Sequence, residues 1–187
     1  MVKKLSVALV LILFFSVSLM GRKISGIVMP DTLKSGSDTL VLNGAGQRSK
    51  FFIDAYVSGL YLKQKSRNAA SIINADEKMA IRLQITSGLI SGKRMAESTN
   101  EGFNKSTNGN TAKIRSRINR FISVFKSGIK KGDAYNIIYF PGIGIKVYKN
   151  GVYKITVKGN DMKRALFGIW LGRKPPTGKL KRQMLGM

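Results

Sequence analysis

A single arginine stands between a glycine-spaced segment and a long apolar strand. Arg48 lies two residues after Gly44-Ala45-Gly46, and Asp54 and Tyr56 fall on one face of the strand predicted to follow. A guanidinium is always charged and can donate two parallel hydrogen bonds to an anion. Arg48, with Tyr56 as a second donor, is therefore a candidate anion site. The alternatives are a solvent-facing turn charge at Arg48, or pairing of Arg48 with Asp54.

Two missing residue types limit the chemistry that this chain can perform. The 187 residues include no histidine and no cysteine. A disulfide framework, a Ser-His-Asp triad and a histidine zinc site are therefore excluded. Catalysis would have to use Arg, Lys, Tyr, Asp, Glu, Ser or Thr. We predict no cofactor and no metal.

The chain is strongly basic, with 33 Lys and Arg against 9 Asp and Glu and a net charge of +24. The basic residues are scattered, and no helix-turn-helix, zinc-finger or RNP-like pattern is present, so we predict no nucleic-acid partner. A solvated cationic surface is the simplest interpretation. An alternative is contact with anionic lipid head groups through Lys113 to Lys126 and Lys179 to Arg182.

The N-terminus combines a basic start with an apolar run over residues 5–20. This run is shorter than the roughly 20 residues that a spanning helix needs, and it is typical of a secretory signal. We therefore predict a signal peptide over residues 1–18, with an uncleaved N-terminal anchor as the alternative. Residues 22–187 are then expected to form one exported, periplasmic domain.

The elements that must position Arg48 are strands arranged in two blocks around helices. Alternating apolar residues predict strands at 24–29, 39–43, 49–62, 78–85, 135–140, 144–149 and 152–157. Gly44-Ala45-Gly46 is expected to end the second of these strands. Helical spacing predicts helices at 91–105, 111–127, 161–171 and 177–185. Separate blocks of strands and helices indicate an α+β fold with an antiparallel sheet.

Four stretches resemble the chalcone isomerase family, particularly its exported bacterial members. They read ISGIVMPDTL (24–33), LNGAGQRSKFFIDAYVSGLYL (42–62), YFPGIGIKVYKNG (139–151) and ALFGIWLGRKPPTGKLKRQMLG (165–186). The resemblance covers nearly all of the chain after the apolar run. It implies an open-faced β-sandwich, in which helices are layered on one face of the antiparallel sheet and a cleft lies between the layers.

The resemblance also implies what the candidate residues do. Plant chalcone isomerases close a chalcone to a flavanone, whereas related plant members bind fatty acids and do not isomerise. In both groups an arginine at the position of Arg48 faces the cleft. Tyr56 occupies the position of an isomerase threonine and resembles the fatty-acid-binding members. The isomerase tyrosine before the first central helix has no counterpart, and Asn100 is the nearest match to the isomerase asparagine.

The sequence therefore predicts a non-catalytic protein that binds a fatty acid or a similar amphipathic anion in a cleft. Arg48, Tyr56 and Asn100 are the predicted ligand-binding residues, and no residue is predicted to be catalytic. The alternative is an intramolecular lyase of the chalcone–flavanone type acting on a polyphenol. Trp170 is expected to be a core residue.

Overall fold

Seven antiparallel strands, hydrogen-bonded in chain order, form the central sheet of this computed structural model, which describes residues 21–50 and 53–187. A separate two-stranded hairpin precedes the sheet. The strands are β1 (Gly21–Ile24), β2 (Ile27–Pro30), β3 (Thr32–Ser35), β4 (Asp38–Lys50), β5 (Ile53–Leu62), β6 (Met79–Ile85), β7 (Ala134–Phe140), β8 (Gly144–Lys149) and β9 (Val152–Val157). The predicted signal peptide, residues 1–18, lies outside the described residues.

Five α-helices accompany the sheet within residues 21–50 and 53–187. They are α1 (Ala69–Asn74), α2 (Gly92–Ser106), α3 (Arg115–Lys126), α4 (Asn160–Leu171) and α5 (Gly178–Met184), and a 3₁₀ turn at Ala112–Ile114 leads into α3. Ser91 caps α2 by accepting a hydrogen bond from the Arg94 amide, and Thr177 caps α5 through the Leu180 amide. In the described part of the chain, none of these helices combines the length and hydrophobicity that crossing a membrane requires.

The two faces of the sheet bury different apolar clusters. The helix-facing cluster is the larger one, and strand β6 contributes Met79, Ile81, Leu83 and Ile85 to it. The opposite face is covered in part by the β1–β2 hairpin, whose Met29 is fully buried and whose Pro30 carbonyl accepts a hydrogen bond from Tyr61. The predicted α+β fold, with an antiparallel sheet and helices layered on one face, is confirmed.

The chain around the first strands differs from the sequence prediction. Residues 24–29, predicted as one strand, are divided by a turn in which Ser25 and Gly26 have φ values of +50° and +81°. The next strand, β3, was not predicted and pairs with β4. The hairpin predicted at Asn150-Gly151 is present, with φ values of +51° and +81°.

The glycines at 44 and 46 do not end a strand, which corrects a second prediction. β4 continues through both, and α5 crosses it in close contact. A Cβ atom at Gly44 would lie 2.2 Å from the Gln183 carbonyl oxygen, and one at Gly46 would lie 2.2 Å from Gln183 Oε1. The glycines therefore allow the last helix to approach the sheet, and β4 can carry Arg48 to the far end of the strand.

A buried lysine joins α1 to α4. Lys163 has no exposed surface, and its ammonium group donates hydrogen bonds to the carbonyls of Ile72, Ile73 and Ala75 at 2.9, 2.9 and 2.6 Å. Carbonyls at the end of a helix lack amide partners within the helix. Burial lowers the pKa of Lys163 to about 8. The three bonds use all three ammonium protons, so this lysine has a structural role.

We expect Gly44→Ala to destabilise the protein by about 1–3 kcal/mol, the usual cost of overpacking. The added methyl group would meet backbone atoms of the last helix, which cannot rotate away as a side chain can. Urea unfolding followed by circular dichroism measures the change. Gly88→Ala is the matched control, because a Cβ there has no neighbour within 4 Å. Equal losses for the two variants would contradict this account of the close approach.

We expect Lys163→Met to lower the free energy of unfolding by about 2–3 kcal/mol, because buried carbonyls lose their donor. Arg164→Met is the control, since Arg164 is exposed and donates one bond to Asn74. Its expected cost is about 0–1 kcal/mol, as for other surface interactions. Thermal unfolding of both variants compares them, and a Lys163 variant as stable as the Arg164 variant would refute the structural role.

Candidate ligand-binding cleft

Arg48 and Tyr56 lie directly opposite each other on β4 and β5. Directly paired residues of antiparallel strands point to the same side of the sheet, here the side covered by helices. The guanidinium carbon of Arg48 is 5.6 Å from the centroid of the Tyr56 ring. Arg48 is half-buried, whereas Tyr56 is only 3% exposed. The strand pairing thus brings together two of the three predicted ligand-binding residues.

An irregularity in the ladder separates this pair from Asp54. The register shifts between Arg48 and Ser49, so that Ser49 pairs with Asp54 and Ala55 is left as the extra residue. Ser49 donates a hydrogen bond to the Asp54 carboxylate at 2.6 Å. Within residues 21–50 and 53–187, the ion pairs do not include one between Arg48 and Asp54. The carboxylate considered as an alternative partner is engaged elsewhere.

Trp170 of α4 fixes the Tyr56 hydroxyl. Its indole nitrogen donates a hydrogen bond to Tyr56 Oη at 3.1 Å, and both side chains are buried. Burial raises the pKa of Tyr56 above its ordinary value, although the nearby Arg48 charge acts in the opposite direction. The hydroxyl is therefore neutral near pH 7. It can accept the indole N–H and still donate its own proton to a ligand, but it is not a base.

A narrow inner cavity of about 40 Å³ opens beside this pair. Its apolar wall comes from the sheet and three helices: Leu83, Met95, Phe121, Phe125, Ile137 and Ile169. Ser98 and Thr99 of α2 supply hydroxyl groups. A water molecule occupies roughly 30 Å³ in the liquid, whereas ligand pockets are typically about 300–1,000 Å³. The inner cavity therefore suits water or a small polar head group.

An outer groove of about 510 Å³ adjoins the inner cavity. Both are lined by Arg48, Met95, Ser98 and Glu101, so Arg48 stands where they meet. Ile53, Ala55 and Ile90 form the apolar part of the groove. This volume lies within the range of ligand pockets. The two spaces together offer a charged head-group position at Arg48 and an apolar path leading away from it.

Charged side chains of both signs surround the head-group position. Lys105 and Lys174 line the inner cavity with Arg48, and Lys105 forms a salt bridge of 2.5 Å with Glu101. In the part of the chain that the structure describes, no carboxylate forms an ion pair with Arg48. Lys105 is thus paired with Glu101, and Arg48 and Lys174 add further positive charge beside the inner cavity.

Asn100, the third predicted ligand-binding residue, is used differently in this structure. Its side-chain oxygen accepts a hydrogen bond from Arg115 Nη1 at 2.7 Å, which ties α2 to the start of α3. Arg115 also bonds to Thr111. Asn100 does not line the inner cavity or the outer groove. Its predicted ligand contact therefore has no support in this geometry.

Thr99 was not among the residues predicted for the site, and Trp170 was predicted only as a core residue. Thr99 belongs to the inward-facing row of α2 that also contains Met95 and Phe103, all buried. The i, i+4 spacing from Met95 to Thr99 is the signal that could have identified it. Nothing local in the sequence indicates that Trp170 meets Tyr56, because 114 positions separate them.

Comparisons with known proteins agree with this architecture. The profile of the chalcone isomerase-like family matches residues 21–186. A crystal structure of a fatty-acid binding protein from Arabidopsis thaliana superimposes with a TM-score of 0.67 and 21% sequence identity, covering 86% of this chain and 92% of that one. No curated protein matches this sequence. The family match spans nearly all of the described residues, and the chain therefore belongs to the chalcone isomerase-like family.

Proposed function

We propose that this protein binds a fatty acid or a similar amphipathic carboxylate in its cleft without converting it. The observation that carries the proposal is the position of Arg48, at the junction of a small cavity with an apolar wall and a larger groove. The ligand carboxylate accepts hydrogen bonds from Arg48 and from the neutral Tyr56 hydroxyl. The apolar tail follows the outer groove past Ile53, Ala55 and Ile90.

The same features favour binding over catalysis. By the family resemblance, Tyr56 occupies the position of the isomerase threonine. Burial raises the pKa of Tyr56, so it does not serve as a base near pH 7. The inner cavity of about 40 Å³ is too small for the aromatic rings of a chalcone, which would have to lie in the outer groove, away from Tyr56. Arg48 alone could polarise a ketone, but oriented donors act together, and removal of one typically lowers a rate by roughly 10²–10³.

The likeness to a fatty-acid binding protein of the same fold supports this class of ligand. If residues 1–18 act as a signal peptide, binding takes place in the bacterial periplasm. There, long-chain carboxylates require a carrier because their tails are poorly soluble in water. The proposal needs neither a cofactor nor a metal ion.

We expect Arg48→Ala to weaken binding of a long-chain fatty acid by roughly 10- to 100-fold, the value of hydrogen bonds to a charged group. Titration of delipidated protein with a fluorescent fatty acid measures the affinity. The corresponding fatty alcohol provides a sharper comparison. The wild type should prefer the acid, whereas Arg48→Ala should bind acid and alcohol about equally.

Arg67→Ala is the matched control, since it removes an exposed arginine that lines neither space. Chalcone absorbance is followed in parallel with each variant. Arginine-dependent loss of chalcone absorbance would replace the binding proposal with the lyase alternative. An unchanged preference for acid over alcohol in Arg48→Ala would show that Arg48 does not hold the head group.

We expect Tyr56→Phe to weaken acid binding by roughly 3- to 10-fold, since a neutral hydrogen bond contributes about 0.5–1.5 kcal/mol. The chain contains one tryptophan, so fluorescence of Trp170 directly reports the loss of its bond to Tyr56. Tyr61→Phe is the control, because the Tyr61 hydroxyl donates to Pro30 on the other face of the sheet. An equal loss of affinity in the two variants would contradict a head-group role for Tyr56.

A further inference from the structure

The opening of the outer groove presents an apolar side chain to solvent. Leu89, in the connection between β6 and α2, is 63% exposed, more than any other large hydrophobic residue in the described part of the chain. Its neighbour Ile90 lines the groove. A single exposed leucine is common on protein surfaces. This one lies next to the groove, where its side chain is available for contact with a partner.

Five exposed cations surround this loop, and we call them the basic collar: Lys93, Arg94, Lys126, Lys130 and Lys131. Two of them lie in the first turn of α2, and three lie at the end of α3 and in the loop after it. Two backbone contacts hold these segments together. A Cβ at Gly92 would lie 2.2 Å from the Phe125 carbonyl oxygen, and the Gly132 amide donates to Ile85 at 2.9 Å.

The carboxylates at this end of the molecule do not neutralise the positive charge of the basic collar. Asp133 is 8% exposed and accepts hydrogen bonds from the Lys130 amide and Asn150, while its oxygen is 2.8 Å from Lys149 Nζ. Glu97 on α2 and Asp54 on β5 are exposed. Glu101, which lines the groove, is also exposed and is paired with Lys105. Three exposed carboxylates, one of them paired with a lysine outside the collar, against five exposed cations leave a net positive surface around the groove opening.

We propose that the groove opening docks on a membrane surface of anionic phospholipids, with Leu89 inserted between head groups and the basic collar against the phosphates. This inference rests on the proposed function. The membrane is the partner with which the cleft exchanges its carboxylate ligand, in either direction. A fatty acid would then pass between bilayer and groove without crossing water.

A lipid surface fits these observations better than a folded protein partner does. The collar is made of long, separate cations around one aliphatic residue, without the apolar centre that protein interfaces need. Basic residues near an anionic membrane act additively and need no matching shape. Ile143, also exposed, lies in the turn after β7, at the other end of the sheet from the start of β7 where Ala134 pairs with Gln84.

Co-sedimentation with phosphatidylcholine vesicles, with and without phosphatidylglycerol, tests the docking. The wild type should bind only the anionic vesicles, with an affinity that falls as salt increases. Lys130→Ala with Lys131→Ala should weaken this association roughly 25-fold, at about fivefold per charge. Leu89→Ser should weaken it roughly tenfold. The controls are Lys179→Ala with Arg182→Ala on α5, and Ile143→Ser at the opposite end.

Two further readouts separate this inference from the proposed function. We call Lys130→Ala with Lys131→Ala, and Leu89→Ser, the docking variants. Without vesicles, the affinity for the fatty acid should be unchanged in the docking variants and reduced in Arg48→Ala. Arg48→Ala should still sediment with anionic vesicles. The rate of fatty-acid transfer from vesicles should rise with vesicle concentration for the wild type, and this dependence should be lost in the docking variants. Absence of wild-type sedimentation, or equal losses in the two control variants, would overturn the docking. Sedimentation without acid binding would overturn the proposed function alone.

Discussion

The register between β4 and β5 determines what the cleft can hold. It places Arg48 opposite Tyr56 on the helix-covered side, and a slip of one residue in either strand would turn that strand's side chain to the other face. The extra residue at Ala55 takes up the change of register just beyond this pair, so Asp54 meets Ser49 and leaves the arginine without a carboxylate partner from the same hairpin. The close approach of α5 at Gly44 and Gly46 covers the same strand. Strand pairing, helix packing and the charge of the site are therefore coupled through one hairpin.

Two cations in the helix-facing layer, Lys163 and Arg48, have different surroundings. Lys163 has three carbonyl acceptors and contacts the faces of Tyr139 and Phe167 at 5.5 Å each, so its charge is compensated within the protein. Arg48 lies beside the ring of Tyr56 and has partial access to solvent, and a guanidinium carries five N–H donors, so it can accommodate further acceptors. Burying a charge without partners is costly. A lysine with all its acceptors stabilises the fold, whereas an arginine with few of them is suited to an anionic ligand.

Local patterns in the sequence were sufficient for much of this structure. The alternation in β6, the Asn150-Gly151 turn and the helical spacing of α3 depend on neighbouring residues, and each was predicted correctly. Features set by distant contacts were not. Gly44 and Gly46 resemble a turn until α5 is placed over them, and the bulge at Ala55 cannot be seen in an alternating pattern. In the site, the position of Arg48 next to Tyr56 followed from the resemblance, whereas the Tyr56–Trp170 bond needed the folded chain.

In the two proposals, the choice of ligand and the docking on a membrane depend on different parts of the molecule. The interactions involved also act over different distances. In the proposed function, the Arg48–Tyr56 pair acts over hydrogen-bond distance, so it would distinguish a carboxylate from an alcohol but would not attract either from a distance. The basic collar acts over roughly 10 Å at moderate salt, so it can orient the opening toward an anionic surface without choosing the ligand. The pair lies on β4 and β5, while the collar lies on the ends of α2 and α3 and the loop that follows. Of the five collar residues, only Arg94 lines the outer groove together with Arg48. Under the two proposals, substitutions at the other four would change docking while the head-group site stays the same.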